Sequence, residues 1–543
     1  MLLPYSTSLL SNQSDLCYIT CMGIYINVGN ESFKTVLNSE YVDKSLMISE
    51  LNRRIDTNDK LVCISRPRRF GKSVFAQMLC AYYDRSCDSR KLFENLKIAD
   101  DPSFEQYLNR YPVIYLDMTW FTSTCDDIEN VLTYMTRKIS EEFRKTYPES
   151  SGDNIAEIIA SAAESYQTKF IIIIDEWDAI FREAKKNTKI QTKYVTLLRS
   201  LFKTPVTDKM FALAYMTGIL PIKKYGTESA LTNFREYTML SPEVFAEYTG
   251  FTEDEVRALC AEHGRDFEKA KKWYDGYSFV NVKSIYNPNS IMRCMASGQY
   301  ASYWTRSETY ESLKIYIDMN FDGIQEAIVQ LLSGEEVTID TETFQNDLVT
   351  IKSKDDVLTL LVHLGYLAFD SDNSTVHIPN EEVRREFVRA VKNGSHRELA
   401  KMVSTSDELI ENTINGEAEK VAKAIEQVHS KATSPVFYNN EQALRSTIRF
   451  AYIAAVDDYT EIQELPSGKG YADIVYIPNR TSDKPAMLIE LKWNKTSDGA
   501  LNQIKEKNYP EIVRKLSGEV LLVGINYDVK TQKHECSIEK MHS

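Results

Sequence analysis

The segment RPRRFGKS, which begins at Arg66, contains a glycine, a lysine and a serine in the order that a phosphate-binding turn requires. In the pattern G-x-x-x-x-G-K-[ST], backbone N–H groups of the turn bind phosphates and the lysine reaches the terminal ones. Arg66 stands where the first glycine is usual, and Pro67 can rigidify the turn in its place. We therefore predict a nucleotide site. Its expected contacts are Arg68, Arg69, Phe70, Gly71, Lys72, Ser73 and Val74.

A second group of polar residues follows two apolar strands downstream of this turn. KFIIIIDEWD places Asp175 and Glu176 at the end of a run of isoleucines, and MFALAYMTG ends near Thr217. A carboxylate at such a strand end can hold Mg²⁺ through its water shell, and an adjacent glutamate can orient the attacking water. Thr217 either contacts the terminal phosphate, as part of the nucleotide site, or only caps its strand. The combination predicts ATP hydrolysis, with Ser73 and Asp175 as metal ligands, Asp175 also contacting the nucleotide, and Glu176 as catalytic residue.

The three arginines of the turn have two alternative roles. Arg66, Arg68 and Arg69 either place positive charge near the phosphates or face acidic partners.

A third group lies near the C-terminus, in GYADIVYIPNRTSDKPAMLIELKW. Alternation along the strand MLIELKW puts Glu490 and Lys492 on one face, about 6.7 Å apart. Asp473 belongs to the preceding strand, which a hairpin can bring alongside. Two acids and a lysine clustered in this way can bind Mg²⁺ and activate water for phosphodiester cleavage. We expect Asp473 and Glu490 to be the metal ligands.

The pattern E-x-K alone is weak, because exposed strands often carry it as ordinary cross-strand charge. Here a helix that carries Glu441 precedes the two acidic strands, and a helix that carries Gln503 follows them. This context favours a nuclease site over a surface ladder of ion pairs. The predicted catalytic residues of the tail are Glu441, Asp473, Glu490, Lys492 and Gln503.

The apolar pattern predicts the scaffold for these residues. From about residue 60 to 250, the strands LVCIS, PVIYLDM, KFIIIIDE and MFALAYMTGIL alternate with helical segments. This order predicts an α/β fold of the P-loop NTPase kind, with a parallel sheet covered on both faces. The pattern then turns helical, and residues 355–391 read helix, strand, turn, strand, helix, as in a winged helix. Such a unit either contacts DNA or packs as a lid.

These patterns give the expected boundaries along the chain. Residues 1–21 form an N-terminal extension that we expect to be poorly ordered, and residues 22–250 the ATPase domain. Residues 251–430 form a helical lid with the winged-helix-like part, and residues 435–543 the nuclease-like domain.

The composition limits function and location. The formal net charge is −14, which argues against indiscriminate coating of nucleic acid because the summed field repels phosphates. Residues 435–543 carry 14 Lys and Arg against 15 Asp and Glu, so this part of the chain repels nucleic-acid phosphates less than the rest does. The nine cysteines contain no CxxC pair, and nothing marks a signal peptide or a membrane span. We expect a cytoplasmic protein with reduced thiols and no membrane partner.

With these groups of residues in hand, the sequence resembles the bacterial family that joins an AAA-ATPase-like domain to a C-terminal PD-(D/E)xK nuclease-like domain. The resemblance covers nearly everything from Met22 onward. Besides the tail motifs, it is carried by YVDKS (41–45), SRPRRFGKS (65–73), IIIDEWD (172–178), TGILPI (217–222), WYDGYSF (273–279) and YNPNSI (286–291). The family's turn also carries arginine at the position of Arg66. The resemblance implies ATP and Mg²⁺ as cofactors and a C-terminal domain of the α/β restriction-endonuclease-like fold.

Three functions fit these observations. The first is an ATP-regulated, metal-dependent nuclease that acts on nucleic acid, with DNA preferred over RNA. The second is a nucleotide-switched signalling or scaffold ATPase whose C-terminal domain binds nucleic acid or a partner without cutting. The third, with less support, is an ATPase that acts on proteins. Intact Asp473, Glu490 and Lys492 favour the first. The sequence leaves open a homo-oligomer and the arginine finger such an assembly would use, for which Arg199 and Arg235 are candidates.

Overall fold

The computed structural model describes most of the chain. The described residues are 23–185, 187–222, 231–304, 310–319, 321–344, 351–394, 397–432, 441–467, 470–478, 484–506, 513 and 519–541. The expected N-terminal extension, residues 1–21, lies outside them. In the described ranges, we find no helix with the length and apolar character that crossing a bilayer requires.

Parallel strands with almost continuous apolar sequences form the first sheet. The strands are β1 (Leu61–Ser65), β2 (Val113–Asp117), β3 (Phe170–Asp175), β4 (Phe211–Gly218) and β5 (Arg235–Tyr237). Their order is β2-β3-β4-β1-β5, and each neighbouring pair is parallel. Ile172 and Ile174 enter the core on one face of the sheet, whereas Ile171 and Ile173 enter the core on the other. The predicted parallel sheet, covered on both faces, is confirmed.

The helices of this part connect and cover the strands. They are α1 (Glu31–Leu37), α2 (Met47–Asn52), α3 (Lys72–Tyr83), α4 (Arg90–Phe93), α5 (Phe104–Tyr107), α6 (Met118–Thr124), α7 (Val131–Thr146), α8 (Ile155–Ser165), α9 (Ala179–Glu183), α10 (Thr188–Phe202) and α11 (Thr207–Met210). In the sheet register, Ile64 pairs with Thr217 and Asp117 with Asp175. The turn after β1 and the acids after β3 therefore meet at the carboxyl edge of the sheet, where open α/β sheets bind ligands.

The middle region is mainly helical, as expected. Its elements are β6 (Phe251–Thr252), α12 (Glu253–Glu262), α13 (Phe267–Tyr274), β7 (Tyr277–Phe279), β8 (Val282–Tyr286), α14 (Pro288–Ser297), α15 (Tyr310–Ile317), α16 (Ile324–Ser333), β9 (Val337–Thr338), α17 (Lys354–Leu364), β10 (Ala368–Asp370), β11 (Thr375–His377), α18 (Glu381–Lys392), α19 (Arg397–Ile414) and α20 (Ala418–Ala432). The run from α17 to α18 confirms the predicted winged-helix order, and β9 adds a third strand beside β11.

A second sheet forms the C-terminal part. Its elements are α21 (Glu441–Ala451), β12 (Tyr459–Ser467), β13 (Gly470–Pro478), β14 (Ala486–Trp493), α22 (Ser497–Glu506), β15 (Val520–Asp528) and β16 (Lys533–Met541). The strands follow their sequence order across the sheet, and β14 and β15, which α22 connects, are the parallel pair. This mixed sheet with its helices is the predicted C-terminal α/β fold.

One hydrophobic core extends through the middle and C-terminal regions. It joins Leu361 and Phe387 of the winged-helix-like unit to Ile448 of α21 and Ile489 of β14. Phe70 of the turn after β1 is also part of this core. The middle region is therefore packed against both predicted sites.

Candidate nucleotide and nuclease sites

The turn after β1 leads directly into helix α3, whose first residue is Lys72. Gly71 caps the helix at φ 85°, in the left-handed region where any side chain would strain the backbone. Arg69 is also at positive φ, 68°, which is uncommon for a residue with a side chain. The first N–H groups of a helix have no partner within the helix and carry partial positive charge. The turn thus has the backbone geometry of a phosphate site.

Arg66 is fully buried and ties this turn to its surroundings. Its Nε donates to Thr249 Oγ1 at 2.7 Å, and its Nη1 donates to the carbonyls of Ser65 at 2.8 Å and Tyr237 at 3.1 Å. Burial lowers the pKa of the guanidinium to about 9. The bonds of Arg66 in the described part of the chain therefore go to uncharged groups, a threonine hydroxyl and two backbone carbonyls. A role of Arg66 beside the phosphates or an acidic partner stays a prediction.

Lys72 and Glu176 form an ion pair at the edge of the sheet. Lys72 Nζ lies 3.1 Å from Glu176 Oε1 and donates to the Pro67 carbonyl at 3.1 Å. Arg182, which the sequence reasoning missed, lies with Nη2 2.5 Å from Glu176 Oε2. Burial acts to raise the pKa of Glu176, but Lys72 and Arg182 hold that pKa below its ordinary value. Glu176 is also at φ 51°, and such backbone conformations cluster at functional sites.

Asp175 is buried beside these residues. Its Oδ1 accepts from the Glu176 N–H at 3.0 Å. Burial raises the pKa of Asp175 to about 7, against the opposing effect of a hydrogen bond with Ser73. Ser73 and Asp175, the predicted metal ligands, therefore lie close to each other. A hydroxyl and a carboxylate are oxygen donors of the kind that Mg²⁺ prefers, so the pair fits this ion.

A cavity of about 550 Å³ opens beside the turn, a size typical of small-molecule sites. The predicted residues that line it are Arg68, Arg69, Phe70, Gly71, Lys72, Ser73, Val74 and Glu176. Its apolar lining includes Tyr41, Val42, Phe251, Pro288 and Met292. All of these except Phe251 lie in or next to the motifs YVDKS and YNPNSI. Both motifs were recognised in the sequence, but their shared cavity was not predicted, because it depends on contacts between segments that are far apart in the chain.

Thr217 and Asp178 bond to the protein at this edge. The Thr217 hydroxyl donates to the Ile64 carbonyl at 3.1 Å, and the side chain is fully buried. This bond agrees with the capping alternative, and a phosphate contact of Thr217 stays a prediction. Asp178 Oδ2 accepts from the N–H groups of Ile219 at 3.2 Å and Leu220 at 3.0 Å. The motifs IIIDEWD and TGILPI are therefore partly structural.

The predicted nuclease residues converge across β13, β14 and α22. Asp473 Oδ2 accepts from the Leu491 N–H at 2.8 Å, which fixes this acid beside the next strand. Glu490 Oε1 lies 3.4 Å from Lys492 Nζ and also accepts from Gln503 Nε2. Glu490 is only 1% exposed. The hairpin and the following helix thus bring four of the five predicted residues to one place.

Helix α21 contributes a residue that the sequence reasoning missed. Arg445 Nη2 lies 2.7 Å from Asp473 Oδ1. Glu441, the predicted residue of this helix, is its exposed first residue and precedes Arg445 by one turn. The spacing of four residues on one helix face was the available signal. A catalytic role for Glu441 stays a prediction.

The metal chemistry of the C-terminal site rests on two carboxylates. Within the described residues, no group of three or more His, Cys, Asp or Glu side chains is arranged to hold a metal. Asp473 and Glu490 nevertheless offer carboxylate oxygens on adjacent strands. Mg²⁺ is commonly bound through one or two carboxylates with water completing its shell, so this donor set fits the ion.

Two family models match the chain. One, described as predicted AAA-ATPase, matches residues 27–227. The other, the PD-(D/E)XK nuclease superfamily, matches residues 439–536. A curated relative, "Uncharacterized protein in vnfD 5'region" of Azotobacter chroococcum mcd 1, is 24% identical over 253 residues. The match covers 45% of this chain and 47% of that relative, so the chain spans about half the length of the curated relative it matches.

Solved structures show weak similarity only. A structure titled "Replication initiator DnaA bound to AMPPCP and single-stranded DNA" has a TM-score of 0.26 at 9% identity, covering 73% of this chain and 98% of that one. AMPPCP-bound DnaA from Aquifex aeolicus has a TM-score of 0.25 at 9% identity, covering 66% and 90%. Similarity at this level carries no functional inference. The two family models agree with the motifs, and together they show the expected two-part architecture, in which a segment that matches the predicted AAA-ATPase family precedes one that matches the PD-(D/E)XK nuclease superfamily.

Proposed function

We propose that the chain binds and hydrolyses ATP at the turn after β1. The observation that carries this proposal is the meeting of Lys72 and Ser73, at the start of α3, with Asp175 and Glu176, at the end of β3, beside a cavity of about 550 Å³. Lys72 would bind the terminal phosphates, Ser73 and Asp175 would hold Mg²⁺, and Glu176 would position the attacking water. Bound there, Mg²⁺ supplies charge neutralisation on the phosphates.

The C-terminal domain is proposed to be a metal-dependent nuclease. Asp473 and Glu490 would hold the metal, which supplies an activated water and polarises the phosphodiester. Lys492, 3.4 Å from Glu490, would steady the nucleophile or the charge of the transition state. Gln503 would orient Glu490 through its hydrogen bond. The proposed substrate is nucleic acid, with DNA preferred over RNA, and the near-balanced charge of residues 435–543 repels its phosphates less than the acidic remainder of the chain does.

The same proposal divides the chain by role. Residues 22–250 form the ATPase, residues 251–430 a lid that includes the winged-helix-like unit, and residues 435–543 the nuclease-like domain. The two cores of the first sheet support the first boundary, because they are drawn from the ATPase part. The core that joins the other two parts, to which Phe70 of the ATPase part also contributes, supports a nuclease-like domain that is packed on the lid.

A chain of polar contacts supports coupling between the two sites. On the nucleotide side, Arg69 Nη1 donates to the Tyr303 carbonyl at 3.4 Å, and the Tyr303 N–H donates to Glu382 of α18 at 2.6 Å. Ser290, in the first turn of α14, donates to the other oxygen of Glu382 at 2.8 Å. The beginning of α14 lines the nucleotide cavity, so Glu382 connects that cavity to the winged-helix-like unit.

The same helix reaches the nuclease-like domain. Arg384 of α18 lies 3.0 Å from Glu461 of β12, and Arg449 of α21 lies 2.7 Å from the other oxygen of Glu461. Arg449 is on the helix that also carries Arg445, the partner of Asp473. A nucleotide that binds one arrangement of α18 more tightly than another therefore has a physical route to the nuclease site.

The test is incubation of the purified protein with linear, circular and single-stranded DNA and with RNA, each with Mg²⁺ and with or without ATP. The expected result is ATP hydrolysis that Lys72→Ala abolishes and cleavage of DNA that Asp473→Asn abolishes. Each variant should retain the other activity at its basal level. Cleavage that survives in Asp473→Asn would place the activity elsewhere and overturn the nuclease proposal.

A second candidate function has one observation in its favour. Both oxygens of Asp473 already accept from the protein, from Arg445 and from Leu491. This arrangement agrees with a C-terminal domain that binds nucleic acid or a partner without cutting, switched by the ATPase. In that case the wild type would bind DNA in an ATP-dependent way with no cleavage product under any metal.

A further inference from the structure

The ion pair between Arg445 and Asp473 connects helix α21 to the proposed metal site. Arg445 Nη2 lies 2.7 Å from Asp473 Oδ1, and the other carboxylate oxygen accepts from the Leu491 N–H at 2.8 Å. The proposed function gives Asp473 to a metal. The guanidinium takes one lone pair of Oδ1 and places a positive charge 2.7 Å from it, so a divalent cation that approaches Oδ1 meets both competition and repulsion.

The two cations of the site differ in their surroundings. Lys492 belongs to the same strand as Glu490, and its side chain is 10% exposed. Arg445 enters from α21, and its side chain is 25% exposed. Arg445 therefore has a route towards solvent, whereas Lys492 is enclosed beside its acid. Of the two, Arg445 is the cation that can leave without disturbing the sheet.

The buried acids explain why a resident cation is useful. Asp473 is 8% exposed and Glu490 is 1% exposed. A buried carboxylate without a compensating charge is strongly unfavourable. Arg445 supplies that charge for Asp473 and keeps its side chain in place through a charge-assisted hydrogen bond.

We propose that Arg445 is an exchangeable counter-cation of the nuclease site, an inference that rests on the proposed metal-dependent nuclease function. It neutralises and orients Asp473 until a divalent metal takes Oδ1, and its guanidinium then moves away from that oxygen. Arg445 is thus a positioning residue, and it sets the metal concentration at which the site fills. A purely structural ion pair would have no such effect on metal affinity.

The proposal predicts tighter metal binding when the guanidinium is removed. Removal eliminates both the competing hydrogen bond and the repulsion between two cations. Hydrogen bonds to charged groups have net contributions that correspond to about tenfold or more in an equilibrium constant. Arg445→Gln should therefore bind Mn²⁺ about tenfold more tightly than the wild type.

The experiment is calorimetric titration of Mn²⁺ into the full chain without nucleotide. Asp473→Asn measures binding at other sites. Lys505→Gln is the matched control, because Lys505 lies on α22 and pairs with Glu539 at 2.6 Å on the surface, so the variant removes the same charge without touching the carboxylates. The expected order is Arg445→Gln tightest, with the wild type and Lys505→Gln equal.

The outcomes separate this inference from the function on which it rests. Wild type and Asp473→Asn that bind Mn²⁺ identically would show that Asp473 holds no metal, which overturns the proposed site itself. A site that is present in the wild type but unchanged or weakened in a folded Arg445→Gln variant would overturn only the exchange.

A second measurement uses the wild type, so it does not depend on how the variant folds. The dicarbonyl reagent phenylglyoxal modifies accessible guanidinium groups, and mass spectrometry quantifies the modification at Arg445. Saturating Mg²⁺ should increase modification of Arg445 in the wild type but not in Asp473→Asn. Equal modification with and without Mg²⁺, in protein shown by calorimetry to bind metal, would mean that Arg445 stays on Asp473.

Discussion

Glu176 lies between two cations, Lys72 at 3.1 Å and Arg182 at 2.5 Å. A phosphate bound by Lys72 has to compete with this carboxylate. We predict that Glu176→Gln binds ATP more tightly than the wild type, because the neutral amide no longer holds Lys72, and that it hydrolyses ATP about 10²-fold or more slowly, because the residue that positions water is lost. Equilibrium binding of labelled ATP and steady-state hydrolysis measure the two effects.

The matched control for this prediction is Glu183→Gln. Glu183 is exposed and ends the short helix that follows, so its removal changes the same charge at a distance from Lys72. It should leave both affinity and turnover close to wild type. Turnover in Glu176→Gln equal to that of the control would remove Glu176 from the catalytic residues.

Glu382 is a second residue whose surroundings make a measurable prediction. Burial raises the pKa of Glu382 to about 7, although hydrogen bonds from Ser290, Tyr303 and Trp304 oppose the shift. The ordinary pKa is lower, so between the two values the folded protein holds a proton that the unfolded chain lacks. Its contribution to stability is therefore present at low pH and is lost as the pH rises through about 7.

We expect thermal unfolding to report this loss. Between about pH 5 and about pH 8, the wild type should lose stability relative to Glu382→Gln, which cannot ionise, by up to about 1.4 kcal/mol per pH unit. The measurement is the difference in unfolding temperature between the two proteins across that range. A difference that stays constant with pH would show that Glu382 does not titrate there.

At the scale of elements, the end of helix α17 packs against the turn after β1. Tyr277 donates to the Gly365 carbonyl at 2.5 Å, and the ring of Phe70 packs against Tyr277 with centroids 5.5 Å apart. A Cβ atom at Gly365 would lie 2.7 Å from Pro67 Cγ. The winged-helix-like unit therefore touches the turn through a glycine that no other residue can replace without a shift.

We predict that Gly365→Ala weakens ATP binding and lowers the unfolding temperature. Gly416→Ala is the matched control, since Gly416 has a similar φ of 77° against 83° and a Cβ atom added there would meet no atom within 4 Å. Both variants carry the strain of a left-handed residue, roughly 1–2 kcal/mol. Only Gly365→Ala also pushes the end of α17 against the turn after β1, so equal ATP affinities in the two variants would argue against that contact.

At the scale of the whole molecule, α18 connects the two sites through Glu382 and Arg384. We predict that ATP changes DNA affinity or cleavage by at least about fivefold in the wild type, the lower end of ordinary coupling energies. Arg384→Gln should reduce this factor, because α18 loses its ion pair with Glu461. Glu461 keeps its ion pair with Arg449. DNA titrations with and without ATP measure the coupling.

The control for coupling is Arg389→Gln. Arg389 lies on the same helix, but its ion pair, at 3.1 Å, is with Glu386 of that helix and does not join it to the described residues of the nuclease-like domain. It should leave the ATP effect unchanged. By linkage, DNA has to change ATP affinity by the same factor as ATP changes DNA affinity. If DNA leaves the ATP affinity of the wild type unchanged, the ATPase and nuclease-like domains act independently.

The sequence by itself determined the fold class, most of the elements and most of the candidate site residues. The isoleucine run of β3 and the turn before α3 are local patterns, because strand and helix periodicity and backbone capping depend on neighbours in the chain. The same holds for Glu490 and Lys492, which the two-residue period of a strand places on one face. Residue types and their spacing were sufficient to predict groups of residues that lie within one helix, strand or turn.

Tertiary structure decided the contacts between residues that are far apart in the chain. Arg66 is buried and joins distant segments because the Thr249 hydroxyl and the Tyr237 carbonyl accept hydrogen bonds from its guanidinium. Arg445 lies in the candidate nuclease site because α21 packs against the sheet that carries Asp473. No local pattern encodes such meetings, since they follow from how helices and sheets pack. For the same physical reason, only the fold shows that helix α18 bonds both to residues beside the nucleotide cavity and to the nuclease-like domain.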